Sequence, residues 1–269
     1  MITVKQMTEM FDLQDSLNNK TCGADWKTTG KTDTGRTLDF MKAFRLELAE
    51  AIDSTNWKWW KSIDAEDDIE NIKIEVTDMW HFLMAYLMIT YPEVDNKLHA
   101  EGAFSFAGQA NEADIGDNDT ILTYLDDLER VTAVHHAIPV VHHYIHADTG
   151  VDFSEVPEEG KTEHEVISKL RSYGQYSIVN LVSVFFSIVE SIEGFGTEGL
   201  YKLYIGKNVL NTFRQDHGYK EGTYVKMWGG VEDNVIMQKL LNTNDIESAE
   251  DMTELLEIEY AKVVAKDHL

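Results

Sequence analysis

The chain has 269 residues, 48 acids against 23 bases, a formal net charge of −25 and 43% apolar residues. That charge repels DNA, RNA and anionic lipid surfaces and so excludes ordinary nucleic-acid and membrane-surface binders, while the apolar share excludes a disordered chain. One cysteine, Cys22, excludes an intrachain disulfide, and an N-terminus without a signal-like apolar run predicts a cytoplasmic location.

Three prolines and apolar residues spaced three and four apart predict helices. Residues 5–18, KQMTEMFDLQDSLN, place Met7, Met10, Phe11, Leu13 and Leu17 near one face. Gln14 and Asn18 lie four apart on the same helix, so both amides can point at one ligand; the alternative is a pair of ordinary surface amides. Residues 19–37 read as a loop. Within it, TTGKT at 28–32 imitates a phosphate-binding P-loop, but Asp25 stands where the first glycine belongs and no strand precedes it.

A helix begins at Asp39, a good N-cap, and runs toward WKWWK at 57–61. Another spans Asp67 to Thr90 and stops before Pro92. Residues 93–165 hold seventeen acids and three bases. They read as an acidic, histidine-containing, partly helical insertion covering a core domain of residues 1–92 and 166–269. In its HHAIPVVHHYIH segment, His142 and His146 have the spacing of a helical metal pair. No cysteine or carboxylate context supports a metal there, and a solvated or partly buried helix face is the preferred reading. Residues 165–192 predict a long buried helix, whose IVNLVSVFFSIV serves either the core or an interface. That stretch and MWHFLMAYLMI are too short and interrupted to span a bilayer comfortably. Helices are further predicted over 197–217 and 247–265, with no convincing strand pair. The fold class is all-α, a helical bundle.

Two segments carry acids where apolar residues dominate. FRLELAEAID places Glu47 and Glu50 three apart, and NIKIEVTDMWHFLM does the same for Glu75 and Asp78. Acid pairs at this spacing are common in so acidic a chain. These two, however, lie among Leu46, Leu48, Ala49 and Ile52, and among Ile72, Ile74, Val76, Met79, Phe82 and Leu83. Helices apolar nearly all round predict burial of all four carboxylates. Such acids must be protonated or matched by cations. An all-oxygen ligand set selects a hard ion, and four acids suit two or three Mg²⁺.

The basic counterpart is YKLYIGKNVLNTFRQDHGYKEGTYVK at 201–226. There Lys202, Lys207, Arg214, Lys220 and Lys226 face only Asp216 and Glu221. Lys207, Asn211 and Arg214 share one helix face, and Arg214 can grip two phosphate oxygens. The alternative is a solvated face that aids solubility. Carboxylates beside cations point to a polyphosphate ligand.

ELAE, WKWWK, IEVTDMWHF and KNVLNTFRQDHGYKEGTYVKMWGGVEDN together resemble the dimeric dUTPases of trypanosomatids, some bacteria and bacteriophages, in the all-α nucleoside triphosphate pyrophosphatase superfamily. The resemblance covers residues 5–90 and about 197–240. It implies Mg²⁺-dependent hydrolysis of dUTP, and of dUDP, to dUMP by a cytoplasmic homodimer (in the host cytoplasm for a phage protein). It implies Glu47, Glu50, Glu75 and Asp78 as metal ligands, with Glu47 or Glu50 activating the water that attacks the β-phosphorus. It also implies Lys61, Lys207, Asn211, Arg214, Tyr219, Lys220 and Lys226 at the phosphates, and Gln14, Asn18, Trp60, His81 and Phe82 at the nucleoside. Trp57, Trp59 and Trp60 would then wedge the end of the carboxylate helix and wall the pocket, with Lys58 and Lys61 leaning to phosphate or to nearby acids; a structural aromatic corner is the alternative. Other readings are a broader dCTP/dUTP pyrophosphatase and a nucleotide-gated protein-binding helical module.

Overall fold

The computed structural model describes residues 2–61, 65–112, 120–133, 135, 178–244 and 249–264. His142 and His146, read as a solvated or partly buried helix face rather than a metal pair, and the predicted helical residues 165–177, lie outside them. Among the described residues the protein is all-α with one two-stranded hairpin. Helix α1 spans Val4–Cys22, α2 Trp26–Thr29, α3 Phe40–Asp53, α4 Ile69–Thr90 and α5 Asn96–Glu112. Helix α6 covers 121–133 and α7 Ile178–Ser191. Helix α8 spans Gly196–Asp216, α9 Asp233–Thr243 and α10 Ala249–Val264.

Helix α4 is the axis of the molecule. Thirteen of its residues are buried, among them Ile72, Val76, Met79, Trp80 and Leu83. It packs antiparallel to α3 on one flank and against α1 and α8 on others. Trp80 stacks on Phe185 of α7, with centroids 5.3 Å apart, and meets Phe11 of α1 edge-on. The aromatic residues of IVNLVSVFFSIV therefore belong to the monomer core: Phe185 and Phe186 are fully buried. Helix α5 lies along α1, and Ala100, Ala103 and Ala107 join the same core, as do Leu125 and Leu128 of α6. Among the described residues, no single helix is long and apolar enough to cross a membrane.

Local chemistry sets the helix starts. Thr3 and Gln6 form a capping box on α1. Asp39 accepts from the Lys42 amide at 3.0 Å and starts α3, as the sequence predicts. Asp39→Ala is expected to lower stability by about 1 kcal/mol, read from urea unfolding.

Three sequence expectations need correction. Helix α3 is not apolar all round; only Phe44, Leu48 and Ala51 are buried, whereas Ala49 is exposed and Leu46 is 56% exposed. It is a surface helix supported mainly by α4, so one face suffices for burial. The loop at 19–37 holds the single turn α2, nailed down by the fully buried Trp26. A strand pair also exists. Met227–Trp228 (β1) pairs antiparallel with Val231–Glu232 (β2) through Gly229 and Gly230, both at positive φ (62° and 90°). Only glycine adopts two such residues without strain, and their twist suits a two-residue hairpin. This hairpin leads into α9, which the sequence pattern did not predict.

Candidate active site

Helices α3 and α4 bring Glu47, Glu75 and Asp78 together. Each offers an oxygen, and all three oxygens lie within 4.8 Å of one another. Glu75 is buried, while Glu47 and Asp78 are half-buried. Burial, reinforced by the charges of Asp78, Glu75 and Glu50, pushes the Glu47 carboxyl up to about 8. Burial, then Asp78 and Glu50, raises Glu75 to about 7, against opposing contributions from Glu47 and Lys207. Glu47 and Glu75 share a hydrogen bond that favours the proton on Glu47. Without cations this cluster holds protons that ordinary glutamates release. The predicted burial of all four acids is corrected at Glu50, which is exposed. It lies one turn beyond Glu47, close enough for its charge to act on Glu47 and Glu75. The three gathered carboxylates are a hard, all-oxygen donor set and fit a divalent cation.

Helix α8 supplies a polar face to this site. Lys207, Asn208 and Arg214 are buried although polar, and Asn211 is half-buried. The Lys207 ammonium sits 2.8 Å from Asp78 Oδ2 and donates to Asn234 Oδ1 at 3.0 Å. Arg214 shows a different use from the one expected. Its Nε and Nη2 bind Asp233 Oδ2 and Oδ1 at 2.8 and 2.7 Å, and its Nη1 binds Asn211 Oδ1 at 3.0 Å. The bidentate fork is therefore engaged by a fully buried carboxylate rather than left open for phosphate. Tyr224 also donates to Asp233, at 2.8 Å. Asp233, Asn234 and Tyr224 were missed in the sequence reading. For Asp233 and Asn234 the Gly-Gly hairpin before them was the available signal, because it folds Asp233 back onto α8.

The segment after α8 is held by aromatic packing. Tyr260 of α10 meets Phe213, Tyr224 and Trp228 at centroid distances of 5.5, 5.4 and 5.2 Å. The exposed Tyr219 lies under the Arg214 guanidinium, 5.9 Å from its centroid. Lys220 and Lys61 are exposed. Lys226 is paired with Glu232 at 2.5 Å.

The predicted nucleoside residues fall in two groups. Gln14, Asn18 and His81 are buried and linked, so the two amides are not ordinary surface residues. Gln14 Nε2 donates to Asn18 Oδ1 at 3.0 Å, and Gln14 Oε1 lies 2.6 Å from His81 Nδ1. Tyr204, another residue missed from sequence, donates to the Met10 carbonyl at 2.9 Å and lies 3.3 Å from Gln14 Oε1. Asn18 Nδ2 and His81 Nε2 are buried with no protein partner. Phe82 is half-buried against the core, one turn beyond Asp78 on α4. The tryptophans of WKWWK do not wedge α3 against its neighbours. Trp57, Trp59 and Trp60 are 38, 85 and 55% exposed and pack edge-to-face on one another. Lys58 is paired with Asp53, which leaves it neutralising an acid.

A helical frame with one short hairpin that gathers three carboxylates beside a buried lysine, with unpaired amide and imidazole groups nearby, is that of a nucleotide hydrolase. The particular family follows from comparison: a family model described as dUTPase matches residues 6–219, and the chain belongs to that family. It is a dUTP diphosphatase, its substrate is a nucleotide, and dependence on a divalent metal is general in the family. The chain has no match among curated proteins.

Proposed function

We propose that the protein hydrolyses dUTP and dUDP to dUMP with two or three Mg²⁺ held by Glu47, Glu50, Glu75 and Asp78. The observation that carries this reading is the carboxylate group itself, with oxygens of Glu47, Glu75 and Asp78 all within 4.8 Å of one another. Bound Mg²⁺ would keep these acids ionised and offset the negative charge that gathers on phosphate oxygens during the reaction.

The remaining roles belong to the chain. Glu50 is exposed beside the cluster, where water has access, and takes a proton from the attacking water. The water oxygen bonds to the β-phosphorus, and the bond from that phosphorus to the α,β-bridging oxygen breaks. The bridging oxygen leaves with dUMP; diphosphate, or phosphate from dUDP, is the other product. Lys207 holds Asp78 in place and adds fixed positive charge, while Asn211, Arg214 and Asp233 brace the wall behind it. Lys61, Tyr219, Lys220 and Lys226 are the exposed groups that reach phosphate oxygens. Gln14, Asn18 and His81 read the base, Phe82 packs against the deoxyribose, and Trp60 closes over the nucleoside.

Glu50→Gln is expected to reduce dUTP turnover by about 10²- to 10⁴-fold with little change in KM, measured as phosphate release in a coupled assay. A wild-type rate would remove Glu50 from the mechanism. The homodimer rests on the family resemblance, and sedimentation would test it. The cytoplasmic location rests on the single cysteine, which suits a reducing compartment.

A further inference from the structure

We infer that Tyr204, as a positioning residue, and the tautomer of His81 set the hydrogen-bond polarity of the groups that read the base, and thereby select uracil over cytosine. This rests on the assignment of Gln14 and Asn18 to the base in the proposed function.

His81 is fully buried, and burial together with the nearby Lys207 charge lowers its pKa to about 3. The ring is neutral and carries one N–H. Its Nδ1 faces the Gln14 carbonyl oxygen at 2.6 Å, and a carbonyl only accepts. The proton is therefore on Nδ1, which leaves Nε2 as a bare acceptor.

The same bond fixes the amides. With its oxygen toward His81, Gln14 turns its NH₂ to Asn18 Oδ1, at 3.0 Å. Asn18 is left presenting N–H donors. The Tyr204 hydroxyl hydrogen is shared between the Met10 carbonyl and Gln14 Oε1, at 2.9 and 3.3 Å, and favours an oxygen at that place. Asn208 donates to the Tyr204 oxygen at 3.2 Å and so turns that hydrogen away from itself. The relay thus ends in two buried atoms without protein partners: a donor, Asn18 Nδ2, and an acceptor, His81 Nε2.

Uracil offers the complement, a carbonyl oxygen next to an N–H. Cytosine offers the reverse, an amino group next to a bare ring nitrogen. Moving the His81 proton to Nε2 and turning both amides would present the complement of cytosine instead. Such networks discriminate because the wrong base leaves buried groups unpaired. The locked direction of the relay, more than the presence of amides, then decides the substrate.

Two measurements test this. In the ¹⁵N NMR spectrum of the wild-type protein at neutral pH, His81 should show the Nδ1–H tautomer; the Nε2–H tautomer overturns the inference. Tyr204→Phe removes the shared hydrogen and should raise the ratio of kcat/KM for dCTP to that for dUTP about tenfold. An unchanged ratio in a folded variant also overturns it. Asn18→Ala separates this inference from the underlying assignment. If Asn18→Ala leaves kcat/KM for dUTP intact, the base assignment itself fails. If Asn18→Ala weakens dUTP use while Tyr204→Phe leaves the ratio unchanged, only the relay fails.

Discussion

Glu47→Gln is expected to lower dUTP hydrolysis by at least about 10²-fold and yet to stabilise the metal-free protein at pH 8. Loss of activity follows from removing one of three converging oxygens. The gain in stability follows from linkage. The folded state holds the Glu47 proton up to about pH 8, whereas an unfolded glutamate releases it near 4.5. Between those values the folded chain binds more protons, so stability falls as pH rises. Glu75, raised to about 7, adds to the same slope. The metal-free wild type should therefore melt at a temperature several degrees lower at pH 8 than at pH 5. Glu47→Gln should flatten that difference, and Mg²⁺ should restore the wild type at pH 8. Thermal melts at the two pH values, with EDTA and then with Mg²⁺, provide the check. A wild type equally stable at both pH values without metal would contradict the proposed packing of charge.

Asp233→Ala should be the most destabilising single change near the site, at about 3–5 kcal/mol in urea unfolding. It leaves the guanidinium of the buried Arg214 without its carboxylate, and leaves Tyr224 without its acceptor. The loss reflects an uncompensated buried cation more than the absence of one contact. Adding Arg214→Met should therefore recover part of the stability. It should not recover activity, because Asn211, Tyr219 and the adjoining face of α8 lose their brace. If the double variant is no more stable than Asp233→Ala, the pair is not a charge-balanced strut.

Glu47 and Glu50 differ in burial although their local sequence patterns are alike. Both were legible as acids on a helix with apolar neighbours. Which one is enclosed depended on α3 using a single face against α4, and local sequence does not encode what lies opposite. Gln14 and Asn18 were more legible, because they continue the stripe of Met7, Met10, Phe11 and Leu17 on α1. A polar residue in an apolar stripe is a polar residue in the core, and it needs partners. Those partners, His81 and Tyr204, lie 67 and 190 positions away along the chain. Arg214 was read as a grip for phosphate from its place in a basic stretch, and the carboxylate that fills its fork, Asp233, lies 19 positions further along the chain.

By itself the sequence determined the helical class, the principal helices around the site, the family, and the residue types from which a carboxylate and cation site is built. Helical periodicity, capping and composition act over a few residues, so they survive in a linear reading. The tertiary structure decided which acids meet, that the Arg214 fork is closed by Asp233, that the WKWWK tryptophans stand exposed, and which way the buried amides of Gln14 and Asn18 point. Those outcomes depend on contacts between elements distant in the chain, where burial and hydrogen-bond direction are set by whatever surface packs opposite.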